Sequence, residues 1–377
     1  MRIGIDGSNL KAGGGVTHLV ELLNAAQSER NGFQEVIVWA GRTTLAQLPQ
    51  RPWLQPVHNP MLDNPLPYQV YWRLKRLPVL AGRNCDVLFT PGAGNGGGFF
   101  PMVTMSQNML PFEAREMQRY GISWQRARVE YLRLMQARAF KSAQGLIFLT
   151  QYARDTILPQ LNGNRGQITI IPHGVSKRYF HPPRCLEFSW QSPIRILYVS
   201  IIDVYKHQWQ VVEALARLRR RGLNVSLQLV GPAYAPALRL LYRIMRGYDP
   251  QGDFVTYSGP VPYLGLAEVY QQADIFVFAS TCENMPNILL EAMASGLPIA
   301  CSNRGPMPEV LGDAGVYFDP ERPEEIADAL QQLIDNRKLR EQCAWKAYLK
   351  AQSYSWAKCA DETFAFISQV AQEYQPR

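Results

Sequence analysis

Two doubly wound α/β domains, each built on a parallel sheet, are the fold class this sequence predicts. Three observations carry that expectation. Short, uninterrupted apolar runs alternate with amphipathic stretches of helical length along most of the chain, which is the pattern of repeated βα units. The pattern then restarts: Arg-Ile-Gly-Ile-Asp at residues 2–6 and Ile-Arg-Ile-Leu-Tyr-Val-Ser at residues 194–200 each open a strand, a polar loop and a helix. Between the two series lies a stretch rich in Pro and charge, residues 182–193, which suits a hinge.

Each element has its own reason. In the first half, the loop 7–15 leads into a helix over 16–28, and apolar runs at 35–39, 86–89, 103–105 and 145–149 read as buried strands. The second half offers a helix over 208–221 and strands at 225–230, 254–257, 275–278 and 299–301. Residues 354–371 read as a closing helix. The predicted organisation is therefore residues 1–185, residues 186–353 and a C-terminal segment 354–377.

A length of 377 residues supports two separate cores, and an apolar fraction of 47% is that of a globular chain. No apolar run approaches the ~20 residues that span a bilayer, and the N-terminus reads as a strand start, not a signal peptide. Six cysteines are scattered with no C-x-x-C spacing, the pattern of reduced thiols in a cytoplasmic protein, without zinc or a disulfide framework. A net charge of +8 and a pI near 9.2 fit anionic partners: nucleic acid, an anionic membrane surface or phosphorylated substrates.

The most informative stretch is Ala-Ser-Thr-Cys-Glu-Asn-Met-Pro-Asn-Ile-Leu-Leu-Glu-Ala-Met-Ala-Ser-Gly-Leu-Pro, residues 279–298. It follows the apolar strand Ile-Phe-Val-Phe; Pro286 suits the first turn of a helix, and Gly296 and Pro298 stop that helix. The carboxyl end of a strand entering a helix is where open α/β sheets bind ligands. Free amides near Asn287, Ile288 and Leu289 can hold a diphosphate. Glu283 in the loop and Glu291 on the helix, eight positions apart, could grip hydroxyls on either side of that phosphate. A sugar nucleotide has that layout. Glu291 lies among Leu289, Leu290, Ala292 and Met293, where a carboxylate is costly unless paired.

Two further elements belong with this stretch. Lys206, between the strand at 194–200 and the helix from 208, could place a point charge beside a diphosphate. Gly13, Gly14 and Gly15 form a turn that lets backbone approach a ligand, although the dinucleotide fingerprint would require Gly where His18 stands. No Asp-x-Asp triplet occurs in the sequence, which argues for metal-independent chemistry and no cofactor.

Residues 279–298, followed by Pro-Glu-Val-Leu-Gly-Asp-Ala-Gly at 308–315, resemble the donor signature of the retaining glycosyltransferases of family 4, two Glu separated by seven positions. The resemblance covers the second half strongly and the first more loosely. It implies the GT-B plan: two Rossmann-like domains facing across a cleft, with the tail helix crossing back to the first domain. It implies that Glu291 holds the donor ribose and that Glu283 addresses the donor sugar, aided by backbone around Asn284, Met285, Pro286 and Asn287. Lys206 matches the Lys of the family's phosphate loop, but Ile201 stands where an Arg is usual, a position that another cation such as Arg304 would have to cover. Pro-His-Gly-Val at 172–175 resembles the family's junction loop and puts His173 near the nucleotide. Gln107 and Asn108 stand where relatives carry His-Asp near the reacting sugar; amides bind hydroxyls but accept no proton at neutral pH. The implied reaction moves a hexose or related sugar from a UDP-, GDP- or dTDP-sugar to a glycan acceptor. By family analogy that acceptor is lipid-linked, in O-antigen or capsule synthesis.

Residues 113–141 carry six arginines (115, 119, 126, 128, 133, 138) interleaved with apolar side chains. Such a helix either packs on its own domain or lies on an anionic membrane, the inner face of the cytoplasmic membrane in this case. Residues 238–246 repeat the mixture. A sugar-nucleotide epimerase of the same plan is the rival enzyme, and a basic nucleic-acid-binding protein the rival of another class. The arginines alternate with core-like apolar residues, which argues against nucleic acid as a partner.

Overall fold

The computed structural model describes residues 1–374 except 12, 95–97, 162, 164, 165 and 190, so Trp190 of the expected hinge stretch and the last three residues of the expected tail lie outside it. The described chain forms two compact units. The first comprises Met1–Ala114, Ile122–Gly174 and Ser355–Arg377; the second comprises Arg115–Gly121 and Val175–Tyr354. The chain thus changes unit after residue 174, earlier than the Pro-rich stretch that reads as a hinge. A seven-residue segment from the first half, Arg115–Gly121, joins the second unit.

The first unit holds a seven-stranded parallel sheet in the order β3-β2-β1-β4-β5-β6-β7. Its strands are β1 (Arg2–Asp6), β2 (Glu35–Ala40), β3 (Leu54–His58), β4 (Val87–Pro91), β5 (Met102–Met105), β6 (Gly145–Phe148) and β7 (Gln167–Ile170). The second holds a six-stranded parallel sheet in the order β10-β9-β8-β11-β12-β13. Those strands are β8 (Ile194–Val199), β9 (Val225–Val230), β10 (Val255–Tyr257), β11 (Ile275–Phe278), β12 (Ile299–Ser302) and β13 (Val316–Phe318). Central strands β1, β4, β8 and β11 are almost wholly buried, as expected for parallel strands covered on both faces.

Three strands have no counterpart in the sequence reading, and all three lie at sheet edges: β3, β7 and β13. An edge strand pairs on one side only and needs no continuous apolar run. Pro56 within β3 sits where a missing N–H costs nothing.

Residues 113–141 do not make one helix. Ala114–Gln118 and Trp124–Ser142 are separate, and between them Gly121 adopts φ 58°, a left-handed conformation that breaks the run. The closing helix, Trp356–Glu373, lies in the first unit, where Phe366 and Val370 fill the space over the absent side chain of Gly145.

Candidate functional site

In the second unit, β8 hands the chain to a loop that reaches helix Gln208–Arg220 through His207, whose φ of 53° is left-handed. This loop is pinned from several directions. Ser200 N–H donates to Val230 and Ile202 N–H to Pro232. Gly231, at φ 142°, lets the β9 loop cross close beneath: a Cβ there would sit 2.1 Å from the Ser200 carbonyl oxygen. The Lys206 amide donates to the Asp203 carbonyl, and its own carbonyl accepts the Tyr198 hydroxyl at 2.6 Å.

Lys206 is buried, and its ammonium is ion-paired with Glu283. The same ammonium lies 5.1 Å from the centre of the Tyr205 ring and 5.5 Å from that of Phe278 on β11. Aromatic faces beside a desolvated cation strengthen its hold without neutralising it. The structure therefore brings the two residues singled out for chemistry into direct contact, at the carboxyl end of the β8–β11 pair.

The helix that follows is Asn287–Ala294, one residue later than the sequence suggests. Pro286 is the residue before it, and its carbonyl accepts from Leu289 and Leu290. Leu289 is thus spent inside the helix and its side chain is fully buried, which removes its amide from the anion-binding set. Among the described residues, the amides of Asn287 and Ile288 remain without an acceptor. Asn284 and Met285, in the loop before the helix, are buried. Two open amides at a helix start are able to receive an anion.

Glu291, one turn further on, is almost fully buried and accepts the Tyr270 hydroxyl at 3.0 Å. Burial pushes its carboxyl up to about 7, opposed by hydrogen bonding from Tyr270 and Tyr179 and by the charge of Arg178. A ligand hydroxyl pair would stabilise its ionised form, which the apolar setting penalises. Arg304 is ion-paired with Asp319 at 2.7 Å, while Ile201 is exposed.

A network that the sequence does not announce surrounds this loop. Thr281, two residues before Glu283, donates to Glu116 at 2.6 Å and lies 3.2 Å from His207 Nε2. Glu116 also accepts from Arg119, and Arg119 reaches Glu321 at 2.7 Å. Tyr120 donates to Asp203 at 2.9 Å. Burial and the neighbouring Arg119 pull the His207 imidazole down to about 4, so it is neutral at physiological pH. Segment Arg115–Gly121 thereby braces both the Lys206 loop and the Glu283 loop. Its nearest sequence signal is an acid–base spacing, Glu116 and Arg119 three residues apart, inside a run that otherwise reads as basic.

The remaining candidates lie in the first unit. Gly13, at φ 74°, precedes helix Gly14–Ala25, and a Cβ on Gly15 would lie 2.9 Å from Leu10 Cδ2 and 3.2 Å from the Gln107 amide oxygen. Asn108 accepts from the Leu110 amide at 3.1 Å and so turns its own chain. His173 is buried, its ring 4.7 Å from that of His18 and 5.6 Å from that of Trp356, and burial holds its pKa well below the usual value. A Cβ on Gly174 would lie 2.2 Å from the Trp356 nitrogen. This tight packing occupies His173 with the place where the chain leaves the first unit.

Residues 188–350 match the family model of the group 1 glycosyl transferases. An O-antigen chain mannosyltransferase B of Escherichia coli is 26% identical over 63% of this chain and 63% of its own length. The chain spans about three fifths of the length of the first curated relatives it matches, with 63%, 57% and 58% covered. Among solved structures, a sucrose-phosphate synthase from Thermosynechococcus elongatus superposes with a TM-score of 0.77 at 18% identity, covering 99% of this chain and 100% of that one. An Anabaena protein crystallised with UDP and glucose superposes with a TM-score of 0.72 at 17% identity, over 98% and 100%. At such identities the structures establish the two-domain GT-B fold. The matched segment 188–350 contains Lys206, Glu283 and Glu291, and over that segment the chain is similar to the group 1 glycosyl transferases.

Proposed function

We propose that this chain transfers a hexose or related sugar from a nucleoside-diphosphate sugar to a glycan acceptor, with retention at the anomeric carbon and without a metal. The acceptor is lipid-linked, the setting is O-antigen or capsule synthesis, and the enzyme works peripherally at the cytoplasmic face of the membrane. The observation that carries the reading is the contact of Lys206 with Glu283 beside the open amides of Asn287 and Ile288, with Glu291 on the same short helix.

In this reading Glu291 takes the ribose hydroxyls, the helix start and Lys206 take the diphosphate, and Glu283 takes a hydroxyl of the donor sugar. Donor binding then loosens the Lys206–Glu283 pair, because each partner gains a ligand group. The bond between the anomeric carbon and the diphosphate oxygen breaks with its electron pair moving onto the phosphate, where Lys206 and the two amides stabilise the charge. The acceptor oxygen forms the new bond, and its proton follows the departing phosphate. Gly14 and Gly15 belong to the donor-binding set, and the Gln107–Asn108 pair to acceptor and sugar recognition. The UDP and glucose bound by the Anabaena relative support a nucleotide-sugar donor.

A thermal-shift screen against UDP-, GDP- and dTDP-sugars tests the donor site, with Glu291→Ala and Lys206→Ala as controls. One nucleotide family should raise the wild-type Tm, and both variants should lose that shift. Absence of any shift across the series would sink the donor assignment. Analysis of the products separates the rival epimerase, which forms no new glycosidic bond and releases no nucleoside diphosphate.

A further inference from the structure

In the first unit, residues 66–84 form a nearly continuous helical rod: Leu66–Tyr71, a π-helical turn Trp72–Arg76, and Leu77–Asn84. One side of it buries Gln69, Trp72, Leu77 and Ala81; the last three pack against Ile37, Trp39, Cys85 and Leu88 of the sheet layer. The other side presents Tyr68, Tyr71, Leu74 and Val79, each between 47% and 53% exposed. The segment contains Arg73, Lys75, Arg76 and Arg83 and no Asp or Glu. Lys75, Arg76 and Arg83 make no ion pair among the described residues, and Arg73 donates to the Gln69 carbonyl.

A second helix repeats this composition. On Trp124–Ser142, Trp124 is 84% exposed, Tyr131 and Leu134 are exposed, and Ile122 just before the helix is fully exposed. Arg126, Arg128, Arg138 and Lys141 make no ion pair among the described residues, while Arg133 is taken by Glu130.

Sheet topology puts the two helices on one face. Ile37 pairs with Gly4 and Gly4 with Leu88, so these residues share the sheet face on which the 66–84 rod packs. The connections from β3 to β4 and from β5 to β6 run in the same direction across the sheet, and right-handed crossovers place both on the same side. The reverse connection, from β1 to β2, carries helix Gly14–Ala25 to the other side. An independent observation agrees: Gly145 aligns through Val103 and Phe89 with Ile5, the opposite row, and it is Gly145 that Phe366 and Val370 of the closing helix cover.

We propose that this face of the first unit is a membrane-docking surface, in which the 66–84 rod and helix Trp124–Ser142 lay exposed tyrosines, tryptophan and leucines into an anionic lipid interface under a layer of unpaired lysines and arginines. Unpaired cations and exposed aromatics on one face match a negatively charged bilayer: the aromatics sit at headgroup depth and the cations meet the lipid phosphates. The sequence reading named the Arg-rich run 113–141 and the mixture at 238–246. In the structure Arg115 and Arg119 leave the first of these runs, 238–246 lies in the second unit, and the first unit adds the 66–84 rod. The proposal deepens the peripheral-membrane part of the function reading, and rests on that reading only for the acceptor's lipid linkage.

Co-sedimentation of the full chain with vesicles of phosphatidylcholine alone, or of phosphatidylcholine and phosphatidylglycerol in equal parts, tests it. The wild type should bind the phosphatidylglycerol vesicles, release in high salt and ignore the neutral ones. Each cation is worth roughly fivefold in partitioning, so Lys75→Glu with Arg76→Glu and Arg83→Glu should lower binding well over tenfold. Tyr68→Ala with Tyr71→Ala, or Trp124→Ala with Leu134→Ala, should lower it severalfold. All these positions are exposed, and the nucleotide-sugar thermal shift, read in parallel, reports folding and the donor site separately. Undiminished binding of the charge-reversed rod overturns the proposal. So does equal binding to neutral vesicles, or a wild-type dimer that the same reversal dissolves, which would make the face a contact between copies. Loss of the thermal shift with vesicle binding intact would instead count against the donor reading.

Discussion

In the second unit, Arg217 lies between Glu213 and Glu324, Arg221 meets Glu324 and Asp328, Arg304 meets Asp319, and Arg337 meets Glu187 and Glu341. On the two basic helices of the first unit, Lys75, Arg76, Arg83, Arg126, Arg128, Arg138 and Lys141 have no such partner among the described residues. The contrast is between these sets of side chains and not between the units as wholes, since Arg239, Arg243 and Arg246 on helix Ala235–Tyr248 of the second unit also make no ion pair among the described residues. A paired arginine fastens helices to one another and projects little field, whereas an unpaired one is available to an anion in solution or on a surface. The overall charge of +8 therefore says less about partners than its distribution does.

Lys206 is the case between these extremes, a buried cation with one carboxylate partner. Lys206→Ala should produce the largest effect in the molecule. Turnover, followed as nucleoside diphosphate release, should fall by about 10²- to 10³-fold, the usual loss when one preorganised charge-stabilising donor is removed. Turnover within a few-fold of wild type would show that the pair is structural and that the leaving group finds its cation elsewhere.

Glu291 provides the next largest effect, and it depends on pH. Its folded pKa of about 7 stands above the ordinary 4.5, so ionisation works against the fold: the penalty is absent below about 4.5, grows as pH rises and is complete above about 7. The full penalty is on the order of 3 kcal/mol for so buried a group. Glu291→Gln should accordingly raise Tm at alkaline pH and leave it unchanged in acid. A nucleotide held through ionised Glu291 should bind more weakly as pH falls below about 7 in the wild type, with a flat profile in Glu291→Gln. A wild-type affinity that does not change across that window would remove Glu291 from the binding set.

The brace from segment Arg115–Gly121 should be worth less. Glu116→Ala removes the short 2.6 Å acceptor of the Thr281 hydroxyl and one of the two carboxylates on Arg119, and should cost about 1–3 kcal/mol in denaturant unfolding, with a rise in KM larger than the fall in kcat. No change in either would reduce the segment to passive packing. Smallest of all, Arg128→Ala should shift stability by no more than about 0.5 kcal/mol and leave turnover on a water-soluble acceptor unchanged, as an exposed, unpaired side chain should. A large loss there would overturn the contrast between paired and unpaired arginines.

Much of the fold was legible because buried parallel strands are written as apolar runs. Runs at 2–6, 35–39, 225–230 and 275–278 correspond to β1, β2, β9 and β11 within a residue. Three of the four edge strands, β3, β7 and β13, were not, since a strand with one neighbour need not carry such a run, although β10 does. At the site, Glu283, Glu291 and Lys206 stood out because a carboxylate in an apolar helix and a lysine after a strand are locally unusual. Glu116, Thr281 and His207 did not stand out. Their meaning is a set of contacts between residues as distant as 116 and 281, and no local pattern records it.

The sequence by itself determined the two βα series, the strand-to-helix turn at 279–298 and the residues there that suit a nucleotide sugar. Each of these is a local matter of periodicity, turn chemistry and the cost of a carboxylate among apolar neighbours. Only the tertiary structure decided that Lys206 meets Glu283, that Leu289 is not an open amide, and that Arg115–Gly121 goes with the second unit. It alone placed the uncompensated cations on one face of the first sheet. Pairing, burial and the side of a sheet on which a helix falls depend on residues far apart in the chain, and folding alone sets those distances.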